Sequence, residues 1–261
     1  NSSILRCTPE HPFLTLVDNT TRWIAAKNLT SNMLLVYPNA YKDDYVLFDC
    51  RARNVGYVPS IATVEHQSWH QIKDPLYFGN IKIDNDLARF FGLYLAEGCG
   101  GNDSIRFIFN NDESEYINFV SSICLNKFGR KPTIHKRWAT TVKLNIRSFS
   151  EKFTEWFGSD ATNKRIPKFV YDWNLQNKLA FIKGYLDGDG WKHGKVALRF
   201  TTASQLLFED MNRLLKQCGL SCTDVYKIAA HPKKENGFKN SGAYSGTIYR
   251  ASVEKMLDLL S

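Results

Sequence analysis

The sequence lacks the features that mark a membrane protein, a secreted protein or a zinc protein. No run of about 18 or more apolar residues occurs, and the first residues do not follow the basic-then-apolar pattern of a signal peptide. The six cysteines are scattered without a CxxC pair or a His-rich segment of zinc-site spacing. We therefore expect reduced, mostly buried thiols, with a cytosolic location as the default.

The sequence does contain a large apolar fraction and an excess of basic residues. Of its 261 residues, 43% are hydrophobic and 13% are aromatic, which is enough for a sizeable core. Lysine and arginine number 34 against 26 acidic residues, giving a formal net charge of +8. Such an excess attracts polyanions, although charge alone does not identify a nucleic-acid-binding protein.

Residues 1–80 are predicted to form a small β-rich module. Short apolar runs, such as 12–16 and 33–37, are interrupted by proline, aspartate and asparagine in the manner of strands and turns. Within this module His66 and His70 lie four residues apart, but no third ligand is evident beside them. A zinc site is therefore not expected there.

Two strongly apolar helices are predicted farther along the chain, over residues 87–96 and 179–189. The first follows two possible N-caps, Asp84 and Asp86. A helix that is apolar on nearly every face must be buried on nearly every face. Each apolar helix is followed by a strand, an amphipathic helix and further strands. After the first helix these predicted elements are 104–107, 113–124, 133–135 and 141–146, and after the second they are 197–200, 205–218, 223–228 and 246–249. We therefore expect two similar units whose apolar helices pack against each other.

Small residues lie four apart in both apolar helices, Gly92 with Ala96 and Gly184 with Gly188. Residues at this spacing share a face, so each helix presents a strip without bulky side chains. A glycine inside a helix costs roughly 0.5–1 kcal/mol relative to alanine. Either ordinary tight core packing or the close approach of a partner backbone would explain the strip.

An acidic residue ends each helix, Glu97 before Gly98 and Asp189 before Gly190. The glycines are predicted to end the helices in the left-handed conformation, with both carboxylates at the negative end of a helix dipole. Two such ends repel each other, so either a cation lies between them or nearby arginine or lysine neutralises them. A hard divalent cation, most of all Mg²⁺, suits carboxylate and carbonyl oxygens. A metal held by two carboxylates in a basic protein indicates phosphodiester hydrolysis.

Residues 90–98, FFGLYLAEG, and 182–190, IKGYLDGDG, resemble the paired motifs of the LAGLIDADG homing endonucleases. The segments 163–169 and 201–220 are similar to the blocks that precede and follow the second motif in the endonucleases found in inteins. The resemblance implies an α+β fold of two pseudo-symmetric αββαββα-like repeats, residues 81–175 and 176–261, with curved antiparallel sheets that bind DNA.

The same resemblance assigns roles to individual residues. It implies that Glu97 and Asp189 are catalytic metal ligands, assisted by Lys164, in a monomer that cuts a long asymmetric double-stranded DNA site with Mg²⁺. Asp187 occupies the family's other acidic position, where we expect a helix cap or a water contact. Basic residues that interrupt the predicted strand patterns with outward charge are expected to contact DNA, namely Arg106, Lys143, Arg147, Lys195, Arg199 and Lys227. Arg106 and Arg199 are the better pair, because they occupy matching places in the two units. The loop 233–239 either contacts phosphates, supplies a second active-site lysine or is a surface turn.

Residues 5–15, LRCTPEHPFLT, resemble a splicing block of inteins, which implies a partial Hint-like segment over residues 1–80. No cysteine or serine nucleophile opening a splicing domain precedes Thr8, and no terminal His-Asn pair ends the chain. Splicing by the chain as it stands is therefore not expected. The alternatives to an endonuclease are a non-cleaving maturase or regulator on the same scaffold and a self-splicing intein with trimmed ends.

Overall fold

The computed structural model describes residues 7–17, 20–30, 33–36, 45–47, 80–101, 103–193, 197–228 and 242–260. His66, His70, Lys195 and the loop 233–239 lie outside the described residues. Among the helices that are described, none has the length and apolar character needed to cross a bilayer.

The N-terminal part contains short antiparallel strands. β1 (Pro12–Val17), β2 (Thr20–Ala25) and β3 (Leu34–Leu35) form a three-stranded sheet in the order β2-β1-β3. β4 (Tyr45–Leu47) and β5 (Asn80–Lys82) form a separate pair. Strands therefore occur where the sequence predicted a β-rich module, and the likeness of this module to a splicing domain stays a prediction.

The rest of the chain consists of two halves with the same order of elements. The first contains α1 (Asn85–Glu97), β6 (Gly98–Gly100), β7 (Ile105–Phe109), α2 (Ser114–Phe128), β8 (Thr133–Lys136), β9 (Thr140–Leu144) and α3 (Arg147–Phe157). The second contains α4 (Leu175–Asp189), β10 (Gly190–His193), β11 (Ala197–Thr202), α5 (Gln205–Gln217), β12 (Cys222–Ile228), β13 (Ala243–Tyr249) and α6 (Arg250–Leu260). The order in each half is helix, two strands, helix, two strands, helix.

Each half contains a four-stranded antiparallel sheet, in the order β6-β7-β9-β8 or β10-β11-β13-β12. The second residue after each long helix, Cys99 or Trp191, pairs with an arginine of the next strand, Arg106 or Arg199. These arginines therefore occupy the same position relative to the helix that precedes each sheet. The expected antiparallel α+β architecture is confirmed.

Side-chain caps explain where α1 and α4 begin. Oδ1 of Asp84 accepts a hydrogen bond from the backbone N of Leu87 at 2.9 Å, and Oδ1 of Asn174 accepts one from the backbone N of Asn177 at 2.9 Å. The Asn174 cap makes α4 one turn longer than the apolar pattern predicted. Both helices are buried along most of their length, as their apolar composition required.

An aromatic cluster joins the first half to the segment that leads into the second. The ring of Phe91 on α1 lies 5.8 Å from that of Phe157 on α3 and 6.2 Å from that of Trp173, just before α4. Tyr94 meets Phe153 edge-on at 4.6 Å. Such pairs contribute about 0.5–1.5 kcal/mol beyond their buried area. The cluster therefore helps to fix α1 within the fold.

Candidate functional site

α1 and α4 pack against each other along the strip of small residues. A Cβ added to Gly92 would lie 2.8 Å from the backbone N of Tyr185. A Cβ added to Gly184 would lie 3.0 Å from Cα of Arg89. Of the two explanations for the strip, the close approach of a partner backbone is the one that the structure supports.

The glycines that end the two helices do not adopt the left-handed conformation that the sequence predicted. Gly98 has φ −87° and ψ 149°, and Gly190 has φ −93° and ψ 142°, both extended. Each helix passes directly into a strand that folds back over the last helical turn. A Cβ on Gly98 would lie 2.6 Å from Cγ of Tyr94, and one on Gly190 would lie 3.0 Å from Cα of Leu186. Lack of space therefore requires glycine at these positions.

The helix ends bring Glu97 and Asp189 together. The side chain of Glu97 reaches α4, where a Cβ added to Gly188 would lie 2.9 Å from Cγ and 3.2 Å from Oε1 of Glu97. Burial raises the pKa of Glu97 to about 7, with further contributions from the carboxylates of Asp189 and Glu113. Burial also raises the pKa of Asp189. Two acidic groups therefore share a place where neither readily carries a negative charge.

Lys164 adds a positive charge to this place. Its Nζ donates a hydrogen bond to the carbonyl oxygen of Ala96 at 2.8 Å. Burial lowers the pKa of Lys164, and the carboxylates of Asp189 and Glu97 oppose that shift. Within the described part of the chain, neither carboxylate forms an ion pair with arginine or lysine. A direct ion pair, the alternative to a bound cation, is therefore not observed there, although the charge of Lys164 lowers the pKa of both carboxylates.

The backbone around Lys164 is held by the second half of the chain. Oγ of Ser204 donates a hydrogen bond to the carbonyl oxygen of Lys164 at 2.6 Å, and the same Oγ accepts one from the backbone N of Leu207 at the start of α5. A carboxylate oxygen of Asp210 accepts a hydrogen bond from the backbone N of Ile166 at 3.1 Å. The connecting segment is thus fixed to α5 while its lysine reaches the end of α1. The roles of Ser204 and Asp210 were not predicted from the sequence, because nothing near them in the chain indicates contact with residues 164–166.

Tyr185 is a third residue whose role was not predicted from the sequence. It is fully buried in α4, and its hydroxyl has no hydrogen-bond partner of ordinary geometry among the described residues. The hydroxyl nevertheless interacts with the carboxylate of Asp189 and opposes the rise in the pKa of that group. As one apolar-flanked aromatic in a buried helix, Tyr185 resembled a core residue in the sequence.

The donor set of this site fits a hard divalent cation. Within the described ranges, no group of three or more His, Cys, Asp or Glu side chains gathers at one place. Glu97 and Asp189 could supply two carboxylate ligands, and carbonyl, water or substrate oxygens would have to complete the shell. A cation here would relieve the repulsion between the carboxylates, which fits their raised pKa values.

Asp187 lies within α4 and forms ion pairs, so the expectation of a helix cap was wrong. A carboxylate oxygen of Asp187 lies 2.7 Å from Nη2 of Arg89 on α1, and the other lies 2.8 Å from Nζ of Lys183. The i,i+4 spacing places Lys183 one turn before Asp187, whereas tertiary packing alone brings Arg89 near. Asp187 is therefore already neutralised within the protein.

Most of the predicted DNA-contacting residues that the structure describes lie in the two sheets. Arg106 on β7 pairs with Lys143 on β9. Arg199 on β11 donates a hydrogen bond from Nε to Oγ1 of Thr247 at 3.2 Å. Lys227 lies in β12. These positions leave the predicted contacts with DNA open to test.

Arg147 was expected in a strand, and the structure shows that this was wrong. β9 ends at Leu144, and Arg147 is the first residue of α3. Its Nε lies 3.2 Å from a carboxylate oxygen of Glu151, one turn farther along the helix. The buried side chains of Phe149 and Phe153 follow helical spacing and explain why the chain turns from strand to helix here.

A comparison with protein families gives one match. Residues 176–259 match a model described as a LAGLIDADG-like domain. These residues contain α4, the strands that follow it and most of α6. The predicted resemblance is therefore confirmed for this part of the chain.

Curated relatives share part of their length with this chain. A DNA polymerase of Thermococcus kodakarensis is 30% identical over 154 residues, which cover 56% of this chain and 9% of the polymerase. The replication factor C small subunit of Methanocaldococcus jannaschii is 27% identical over 174 residues, covering 60% and 9%. The RNA polymerase subunit Rpo1C of the same organism is 31% identical over 141 residues, covering 52% and 16%. The chain thus spans less than a fifth of these relatives.

Similar solved structures include variants of the homing endonuclease I-DmoI, with a TM-score of 0.48 and 16% identity over 67% of this chain and 94% of that one. The homing endonuclease I-WcaI bound to its DNA recognition sequence gives a TM-score of 0.45 and 14% identity, over 67% of this chain and 80% of that one.

Proposed function

We propose that this chain is a LAGLIDADG homing endonuclease that cuts a long, asymmetric double-stranded DNA site with Mg²⁺ as a monomer. The observation that carries the proposal is the placement of Glu97 and Asp189 at the adjoining ends of two packed helices, beside partly buried Lys164. The match of residues 176–259 to a LAGLIDADG-like domain supports it.

Residues 81–175 and 176–261 are the two repeats in this proposal. The shared element order and the shared strand order of the two sheets support that division. The matched strand positions carry different side chains, such as Lys143 beside Arg106 but Thr247 beside Arg199. Two unlike sheets in one chain would bind an asymmetric target without a second subunit.

Three residues carry the chemistry at the helix ends. Glu97 and Asp189 would hold the divalent cation, which polarises the scissile phosphate and activates water when it is bound. Lys164 holds a positive charge beside them, where it would stabilise negative charge that develops on the phosphate. Because Lys164 is partly buried, this interaction is weakened less by water than a fully exposed contact would be.

The basic residues of the sheets would hold the DNA. Arginine and lysine contacts to phosphates fix the position of the duplex, and contacts to base edges select the sequence. The candidates in the described strands are Arg106, Lys143, Arg199 and Lys227. Arg147, at the start of α3, and Lys195, outside the described residues, complete the set.

The relatives suggest the context in which such a nuclease occurs. A DNA polymerase, a replication factor and an RNA polymerase subunit match this chain over a small share of their own lengths. Their separate activities do not explain one shared segment, whereas a nuclease inserted into each of them does. We therefore infer that the chain is of the intein-encoded type, with residues 1–80 as a partial splicing-domain-like segment.

The decisive experiment selects DNA that the native protein cuts from a library of randomised plasmids, with and without Mg²⁺. The selected site is then offered to Glu97→Gln and Asp189→Asn, with Asp112→Asn as a control at an exposed position near the start of α2. Each active-site variant should lose at least about a hundred-fold in cleavage rate while still retarding DNA on a gel. Undiminished cleavage by either variant would refute the role assigned to that residue.

A non-cleaving DNA-binding protein on the same scaffold is the second candidate function. The retention of an acid at both helix ends argues against it. Native protein that retards the selected DNA without nicking it, at any Mg²⁺ concentration, would favour this alternative.

A further inference from the structure

The outward face of the first sheet contains a groove. β7 buries Ile105, Phe107 and Phe109 on one face, so that Arg106 and Ile108 point to the other. Together with residues of β8, β9 and the turn between them, these two side chains line a groove of about 410 Å³. The groove lies on the opposite face of the sheet from the aromatic core.

The charge of this groove favours a polyanion. Arg106, His135, Arg137 and Lys143 line it, and no carboxylate does. Nε of Arg106 is buried and has no hydrogen-bond partner among the described residues. The ion pair of Lys143 with exposed Asp103 is long, at 3.9 Å. Among the described residues, Nε of Arg106 therefore has no hydrogen-bond partner and Nζ of Lys143 has only a distant acidic one.

The same groove also exposes large apolar side chains. Ile108 is 40% exposed, and Trp138, in the turn between β8 and β9, is 88% exposed. Ala139 and Thr141 also line the groove. Apolar side chains surrounded by basic ones suit a ligand that carries both negative charges and small apolar groups such as methyls. The major groove of duplex DNA is such a ligand, because each thymine projects a C5 methyl group between two rows of phosphates.

The second sheet differs at the matching position. Arg106 and Arg199 occupy the same place, so the counterpart of Ile108, two residues farther along the strand, is Thr201. Oγ1 of Thr201 donates to Oγ of Ser245 at 3.2 Å. At this matched position the second half therefore has a pair of hydroxyl groups, whereas the first half has the apolar side chain of Ile108.

We propose that Ile108 and Trp138 contact thymine methyl groups in the major groove of one half of the DNA target, with Arg106 and Lys143 binding beside them. This inference rests on the proposed function, since it names the base chemistry that the first sheet selects. It goes further by assigning specificity to two apolar residues and by restricting their effect to one half of the site.

The test removes the methyl group from the DNA as well as its partner from the protein. The native chain first selects a duplex from a randomised library by binding in Ca²⁺, and each thymine of that duplex is then replaced singly by deoxyuridine. Fluorescence anisotropy measures Kd for every duplex. Loss of a contacted methyl should weaken binding about four-fold, the factor expected for one buried methyl-sized group. The sensitive positions should cluster in one half of the duplex.

Ile108→Ala and Trp138→Ala should weaken binding to the thymine duplex and lose the response to deoxyuridine at the sensitive positions. Leu125→Ala is the matched control, because Leu125 is 53% exposed on α2, outside the groove. It should bind and respond as the native chain does.

The outcomes separate the inference from the proposed function. A bound duplex without any response to deoxyuridine, or variants that respond as strongly as the native chain, would overturn the inference alone. Failure of the native chain to retain any duplex would overturn the proposed function together with the inference.

Discussion

The guanidinium of Arg89 on α1 holds the carboxylate of Asp187 on α4, with 2.7 Å between Nη2 and Oδ2. The two side chains are 19% and 15% exposed, so the pair is largely shielded from water. Arg89 also lies over the ring of Phe119, 4.6 Å from its centroid. The pair fixes the position of α1 along α4, and the placement of Glu97 beside Asp189 depends on that position.

Asp187→Asn should lower the free energy of unfolding by roughly 1–3 kcal/mol, somewhat less than the loss of a partner in a fully buried pair. The substitution leaves the positive charges of Arg89 and Lys183 without their carboxylate. Urea unfolding measures the change. Glu155→Gln is the control, because it removes an exposed pair with Lys152 that should contribute less than about 1 kcal/mol. Equal stability of the two variants would contradict the assignment.

Gly184→Ala should destabilise the protein by about 1–3 kcal/mol or more, because a new Cβ would collide with the backbone of Arg89. Chemical unfolding should show the loss even though alanine favours helices. Asn118→Ala, at an exposed position of α2, is the control and should be neutral or slightly stabilising. A stable Gly184→Ala variant would show that the two helices can separate without cost.

Without metal, the stability of the native protein should fall as the pH rises from about 4.5 to about 7. The pKa of Glu97 rises from its ordinary value of 4.5 to about 7 in the folded protein, so the folded state retains a proton that the unfolded chain has released. Glu97→Gln removes the contribution of Glu97 to this dependence, and the contribution of Asp189, whose pKa is also raised, remains. In EDTA at about pH 8 its Tm should therefore exceed the native Tm, by about 2–4 °C for each kcal/mol gained.

The same comparison at about pH 4, where the group is protonated in both states, should give nearly equal Tm values. Glu155→Gln should follow the native protein at both pH values, because Glu155 is exposed. If the native Tm did not fall relative to the Tm of Glu97→Gln between about pH 4 and about pH 8, the raised pKa of Glu97 would be contradicted.

Mg²⁺ should raise the Tm of the native protein at neutral pH, and EDTA should reverse the effect. A ligand that binds the folded state alone at 100 times its Kd stabilises it by about 2.7 kcal/mol. Asp189→Asn should lose most of this response, whereas Asp187→Asn should keep it, because Asp187 already pairs with Arg89 and Lys183. Calorimetric titration with Mg²⁺ offers an independent readout. If Asp187→Asn lost the response to Mg²⁺ and Asp189→Asn kept it, Asp187 rather than Asp189 would be the metal ligand.

Asp210→Ala should lower kcat for DNA cleavage about ten-fold, which corresponds to 1.36 kcal/mol in the barrier, with little change in DNA affinity. The substitution removes the acceptor of the Ile166 N–H and loosens the segment that carries Lys164. Asp210→Asn retains an acceptor oxygen and should recover most of the rate. If asparagine and alanine reduce kcat equally, the charge of Asp210 matters rather than this hydrogen bond.

Local sequence signals determined where the buried helices of this protein lie and which acids end them. A run that is apolar on nearly every face, after the two possible N-caps Asp84 and Asp86, predicted the first buried helix. The spacing of Gly92 and Ala96 predicted a face without bulky side chains. The acids at the helix ends marked Glu97 and Asp189 as candidates before any fold was known. These features depend on residues close together in the chain, so composition and spacing are enough to reveal them.

Tertiary structure decided which distant groups meet. Asp187 pairs with Arg89 across 98 positions of the chain, and Ser204 holds the carbonyl of Lys164 from another helix. The extended ends at Gly98 and the helical position of Arg147 likewise follow from how helices pass into strands and pack. The physical reason is that such contacts arise from the folding of separate elements onto one another, and no spacing in the sequence records which elements will adjoin.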